Sequence, residues 1–176
     1  MRRSRVVLSL AASLSLLLSA AGTAGASGDE RHLNLLDACD GPSFNAVLGA
    51  GACERNGGVA FGTFVGQLQS MGMAPAWRNA PGQLKLPAGG TIEAYNKGGE
   101  FHTFTEVASF GGGCIAEVNA LVGLTPVPEC ANAGVLFATT GVAPGDEVET
   151  PALPSGVHRF ECLIHPWMRT TVTVRG

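Results

Sequence analysis

Seven residues near the C-terminus have the types and spacing to hold a metal: Cys162-Leu163-Ile164-His165-Pro166-Trp167-Met168. A thiol, an imidazole and a thioether on one short loop make a soft, mixed donor set. Calcium and magnesium want oxygen ligands and are excluded. Two His and one Cys with a weak axial Met is the arrangement of copper electron-transfer sites. The second imidazole must come from elsewhere. His102, in Gly98-Gly99-Glu100-Phe101-His102-Thr103-Phe104, is placed to supply it at the head of a strand after a glycine turn. His32 stands beside Asp29 and Glu30 and reads as part of a solvated tail. His158 lies four residues before Cys162, more than about 10 Å away along a strand at ~3.3 Å per residue. Glu100 and Glu106 are the alternatives to Met168 as an axial or extra ligand.

These donors need a frame. Alternation puts His158, Phe160 and Cys162 on one strand face and Val157, Arg159 and Glu161 on the other. Phe160 marks the first face as inward, so the thiol points into one end of the protein. Thr170 starts the return strand. Upstream, Gln83–Leu86, Thr91–Asn96, Phe101–Val107, Val135–Thr140 and Val157–Cys162 are short β-type runs separated by Gly- and Pro-rich turns. Strands at this spacing predict a mostly β, antiparallel sandwich or barrel over residues 76–176. Residues 27–75 read as a short N-terminal helical extension. Phe61, Phe64, Val65, Leu68 and Met71 form one helical face there, and Phe44–Leu48 is a second helical stretch. Residues 27–36 read as a loose lead-in, and residues 111–133 as a long, stapled, partly helical loop.

Composition narrows the function classes. The chain has 176 residues, a formal net charge of −3 and 6% aromatic residues, so neither the basic surplus nor the stacking residues of a nucleic-acid binder are present. Arg2, Arg3 and Arg5, the apolar run Val6–Leu18 and Ala24-Gly25-Ala26 read as a secretory signal peptide over residues 1–26. No second long apolar run follows, so no membrane span is expected, and the mature chain is read as an exported, periplasmic or extracellular monomer. Export implies an oxidising compartment, and five cysteines leave one over. Setting Cys162 aside, four cysteines allow three connectivities. The local pairs Cys39–Cys53 and Cys114–Cys130 are preferred because each closes a short, Gly-containing segment.

The Cys162, His165, Pro166, Met168 spacing, with Arg169 and a β-rich closing strand after it, resembles the cupredoxins, type I blue copper proteins of the plastocyanin and amicyanin kind. The resemblance covers about residues 76–176 and is most specific at the C-terminal loop. Thr103 stands where many members have Asn. The resemblance implies a Greek-key β-sandwich holding one copper ion that cycles between Cu(I) and Cu(II). It implies His102, Cys162 and His165 in a trigonal plane, with Met168 at long distance. It also implies that the His165 ring edge reaches the surface, and that transient redox partners dock near His165 and Trp167. The alternative is a copper carrier or storage protein. Multicopper oxidases need paired His-x-His motifs, which are absent. A binuclear copper site needs a second Cys at position 166, which is Pro. A nucleophilic role for Cys162 needs an exposed thiolate, whereas this thiol points inward.

Overall fold

A computed structural model describes residues 29–176, and the leader read at residues 1–26 lies outside the described residues. Strand β1 (Glu30–Leu36) is followed by helices α1 (Gly41–Leu48) and α2 (Phe61–Met71). Strands β2 (Arg78–Ala80), β3 (Gln83–Pro87), β4 (Thr91–Asn96), β5 (His102–Thr103) and β6 (Thr105–Glu106) come next. Helix α3 (Ala116–Val122), a 3-10 turn at Pro128–Asn132 and helix α4 (Ala133–Thr140) precede β7 (Gly141–Val142) and β8 (Glu147–Glu149). Strands β9 (Gly156–Glu161) and β10 (Arg169–Arg175) close the chain.

The protein is mostly β, as the turn-separated runs predict. One four-stranded sheet has the order β2-β1-β4-β8 and a second has β3-β10-β9-β6, while β5 and β7 pair in a small third sheet. Burial alternates with period two along β4 and β10. The inward residues Leu33, Leu35, Ile92 and Ala94 of the first sheet meet Leu86, Phe160, Val172 and Val174 of the second in one core. Not every pair is antiparallel: β1 runs parallel to β4, and β3 parallel to β10.

Three local readings change. Residues 30–36 are a sheet strand rather than a loose lead-in, lying between β2 and β4. Its outer half, Glu30-Arg31-His32, is solvated, which hides it, while Leu33 and Leu35 are buried. His32 is therefore an exposed strand residue, its Nδ1 3.0 Å from Glu93 Oε1 on β4. Residues 135–140 belong to α4 and not to a strand. Helical geometry lets the Thr139 and Thr140 hydroxyls donate to the carbonyls of Val135 and Leu136, and sets Leu136 and Phe137 against Val107, Val127 and Leu163. Tertiary packing thus overrides the β preference of Val, Phe and Thr. The Phe101–Val107 run is broken into β5 and β6, which join different sheets.

Helices α1 and α2 form at the expected places and pack on each other, and α3 packs on α2. Asp40 caps α1, accepting from Ser43 N–H, and Ser43 Oγ in turn accepts from Phe61 N–H at the start of α2. Helix α2 stops at Gly72, which takes the left-handed conformation. Phe64 and Leu68 are buried, but Met71, on the predicted stripe, is exposed. Phe44, Phe64 and Trp77 pack ring on ring, Trp77 fully buried. Disulfides join Cys39 to Cys53 and Cys114 to Cys130, leaving Cys162 free and buried. Among the described residues no helix is long and apolar enough to cross a membrane.

Candidate metal centre

Strand β9 ends at Glu161, so Cys162 is the first residue of the loop to β10, and its thiol is fully buried. The loop closes on itself: Cys162 N–H donates to Met168 O at 3.0 Å and Met168 N–H to His165 O at 2.8 Å. His165 is thereby turned back toward Cys162. Strand β5 brings His102 in from across the sandwich, 60 positions earlier, and the three side chains meet.

Cys162 Sγ lies 3.8 Å from His102 Nδ1 and 3.7 Å from His165 Nδ1, and the two nitrogens are 3.3 Å apart. A point equidistant from three such atoms is about 2.1 Å from each, within the ~2.0–2.3 Å span of metal bonds to imidazole nitrogen and thiolate sulfur. The triangle fits one transition-metal ion, and its soft sulfur and two imidazoles suit copper. Met168 is fully buried at the end of the same loop. His158 does not join: its Nδ1 is 2.6 Å from Glu106 Oε1 and its Nε2 donates to Pro154 O. Glu106 is thus engaged elsewhere. Glu100 stands behind His165, its Oε2 3.7 Å from His165 Nε2 and bonded by the Trp77 indole N–H.

The sequence reading missed Asp37. It follows β1, its side chain fully buried, and accepts from Cys39, Gly99 and Glu100 N–H and from His102 Nε2 at 2.9 Å. With Nε2 donating to Asp37, the His102 lone pair falls on Nδ1 and faces the sulfur. The local mark of Asp37 is its turn onto Cys39 two residues on, which many Asp residues make. Its partners come from the β4–β5 turn, and only the parallel β1–β4 pairing brings them near. Glycine is required there, since a Cβ on Gly98 would run into the Asp37 carboxyl.

Electrostatics follow from this packing. Burial pushes the Asp37 carboxyl up, but His102 and the Gly99 and Glu100 N–H groups hold it well below the carboxylate range. Burial pulls His102 down, while Asp37 and Cys162 push it up to about 9. Burial raises the Cys162 thiol, and His102 and His165 outweigh this and hold it far below its ordinary value. The sulfur therefore sits among groups that favour its thiolate. Burial raises Glu100, with His165 and Trp77 pulling back.

Thr103 ties the centre to the frame. Its N–H points at Cys162 Sγ at 3.4 Å, and its Oγ1 accepts from Leu163 N–H at 2.8 Å. A threonine thus links the His102 strand to the ligand loop. The stapled segment braces the loop from outside. Cys114 N–H donates to Leu163 O at 2.6 Å, Gly111 N–H to Glu161 Oε2, and Arg169 to Gly111 O. Gly113 passes so close to Leu163 that a Cβ would strike its carbonyl.

One expectation about exposure changes. The His165 side chain is only 5% exposed. Phe64 of α2 and Trp167 lie edge-on to its ring, with centroids 6.3 and 5.6 Å away. Trp167 is half-buried. Helix α2 and the ligand loop therefore cover the ring that was expected to reach the surface.

No protein-family model and no curated protein matches the chain. Among solved structures it is similar to the novel purple cupredoxin from Nitrosopumilus maritimus, with a TM-score of 0.45, 18% identity and coverage of 82% of this chain and 99% of that one. It is also similar to native pseudoazurin from Hyphomicrobium denitrificans, with a TM-score of 0.38, 16% identity and coverage of 82% and 74%. The oxidised plastocyanin from Dryopteris crassirhizoma matches with a TM-score of 0.36, 18% identity and coverage of 56% and 89%.

Proposed function

We propose that this chain is a mononuclear copper protein that shuttles single electrons, with His102, Cys162, His165 and Met168 as the ligands of a type I site. The observation that carries the reading is the buried triangle of two Nδ1 atoms and one thiolate sulfur, of a size that takes one metal ion. A copper ion held there supplies a one-electron couple.

The chain's own residues prepare the place. Asp37 fixes the His102 tautomer and ring plane. The two imidazoles stabilise the Cys162 thiolate. The loop hydrogen bonds and the Thr103–Leu163 link hold the donors in nearly one arrangement, which limits reorganisation when charge changes. Burial excludes water from the sulfur. Trp167, beside His165 and half-exposed, is the proposed contact for transient redox partners. The leader-like residues 1–26 and the two disulfides support an exported protein acting as a monomer in the periplasm or outside the cell.

One equivalent of Cu(II) added to the purified protein should give an intense visible thiolate-to-copper band. Cys162→Ser should abolish that band while the fold, read by far-UV circular dichroism, persists. A band that survives in Cys162→Ser sinks the assignment. Copper bound tightly without any intense band would make the chain a carrier instead.

A further inference from the structure

The helices that cover His165 do not fill the space above it. A cavity of about 340 Å³ lies between α2, α3 and the ligand loop. That is the size of a site for a small organic molecule, which typically spans ~300–1,000 Å³. Its walls are apolar and partly aromatic, with Phe61 and Phe64 from α2 and Val118 and Leu121 from α3. Two buried polar residues, Glu100 and His165, also line it. The Glu100 carboxyl takes the Trp77 indole N–H on Oε2, and no described residue donates to its other oxygen. Glu117, an exposed residue, lines it as well.

These features select an occupant. The helical cover keeps a protein surface off the His165 ring, so whatever touches that ring here must fit inside the cavity. Aromatic walls favour a flat ring. A carboxyl oxygen to which no described residue donates favours a ligand that carries a hydroxyl donor. Two carboxyl-bearing residues, Glu100 and Glu117, in its lining disfavour an anion. We propose that the cavity binds a small, neutral hydroxy-aromatic molecule, its ring against Phe64 and His165 and its hydroxyl donated to Glu100. The proposal deepens the copper reading and rests on it for its meaning, since His165 would then join the occupant to the metal.

Calorimetric titration of the purified, metal-free protein tests this with three probes: p-cresol, toluene and 4-methylbenzoate. The expected result is saturable binding of p-cresol at one site with a dissociation constant below about 1 mM. Toluene, lacking the hydroxyl, should bind at least about 5-fold more weakly, and 4-methylbenzoate, an anion, at least about 10-fold more weakly. Val118→Trp, which fills the cavity, should weaken p-cresol at least about 10-fold. If that variant does not fold, p-cresol added to the unsubstituted protein should shift the NMR signals of Phe64 and His165 first. No saturable binding, toluene binding as tightly as p-cresol, or shifts confined to other residues overturns the proposal. Cu(II) addition to the same sample separates the two readings. An intense visible band without p-cresol binding overturns the cavity proposal alone. Binding of p-cresol with no band overturns the copper reading and leaves the cavity standing.

Discussion

At the scale of single residues, Asp37 has the most to do per atom. Its carboxylate gathers three backbone N–H groups and the His102 ring, all out of water. Asp37→Asn keeps the volume but replaces one acceptor oxygen with a donor, which meets other donors. Copper affinity, measured by competition with a coloured chelator, should fall by about 10–100-fold, the usual cost of losing a group that orients a metal-ligating imidazole. An unchanged affinity would show that His102 is oriented by packing alone. The meeting of Cys162 and His165 was legible because both stand in one short loop of unusual softness. His102 was legible because it follows a glycine turn and faces few competitors. Asp37 was not: its meaning depends on residues about 60 positions away, joined to it through a strand pairing that no local pattern announces.

At the scale of elements, two kinds of glycine make opposite demands. Gly62 and Gly66 lie within α2 with open space where a Cβ would stand. Alanine there lowers the entropy of the unfolded chain and removes no contact. Each of Gly62→Ala and Gly66→Ala should raise stability by about 0.5–1 kcal/mol in urea unfolding. Gly98→Ala should do the reverse, costing more than about 1 kcal/mol, because its Cβ would collide with the Asp37 carboxyl. Equal effects at all three positions would refute this division. The α2 stripe was readable despite its glycines because its apolar spacing continues through them. Helix α4 was misread for a physical reason. Val135, Leu136 and Phe137 satisfy a strand's preferences, and only the packing of Leu136 and Phe137 against Val107, Val127 and Leu163 decides for a helix. Strand β1 was hidden because half of it is solvated, leaving only Leu33 and Leu35 as an inward signal.

At the scale of the whole molecule, ionisation away from the centre links stability to pH. His158 on β9 bonds Glu106 on β6 and the Pro154 carbonyl. Burial pulls its ring down, but these two acceptors raise it above the ordinary imidazole value. A raised folded value means that the protonated ring stabilises the native state. The contribution is full below about pH 6.5, the unfolded ring's value, and is lost as pH rises through the folded value. Glu106 is half-exposed, so the effect stays under about 1 kcal/mol. Thermal melts of the metal-free protein at pH 6 and pH 9 should differ by up to about 3 °C more than those of His158→Gln. Identical pH dependence in the two proteins would remove the pair from the account.

The ring packing around His165 has an optical consequence. The chain contains two tryptophans, and each is one contact from a group that touches this histidine or from the histidine itself. Trp77 bonds Glu100 and packs on Phe64, while Trp167 lies edge-on to the His165 ring. Their emission should differ in colour, blue-shifted from the buried Trp77 and redder from the half-exposed Trp167. Cu(II) in the neighbouring triangle is a quencher, so filling it should dim both components together at one equivalent. Trp167→Phe would leave Trp77 as a lone reporter, and persistent full emission from it after one equivalent would place the ion elsewhere. The protein's own fluorescence then reads occupancy without any label.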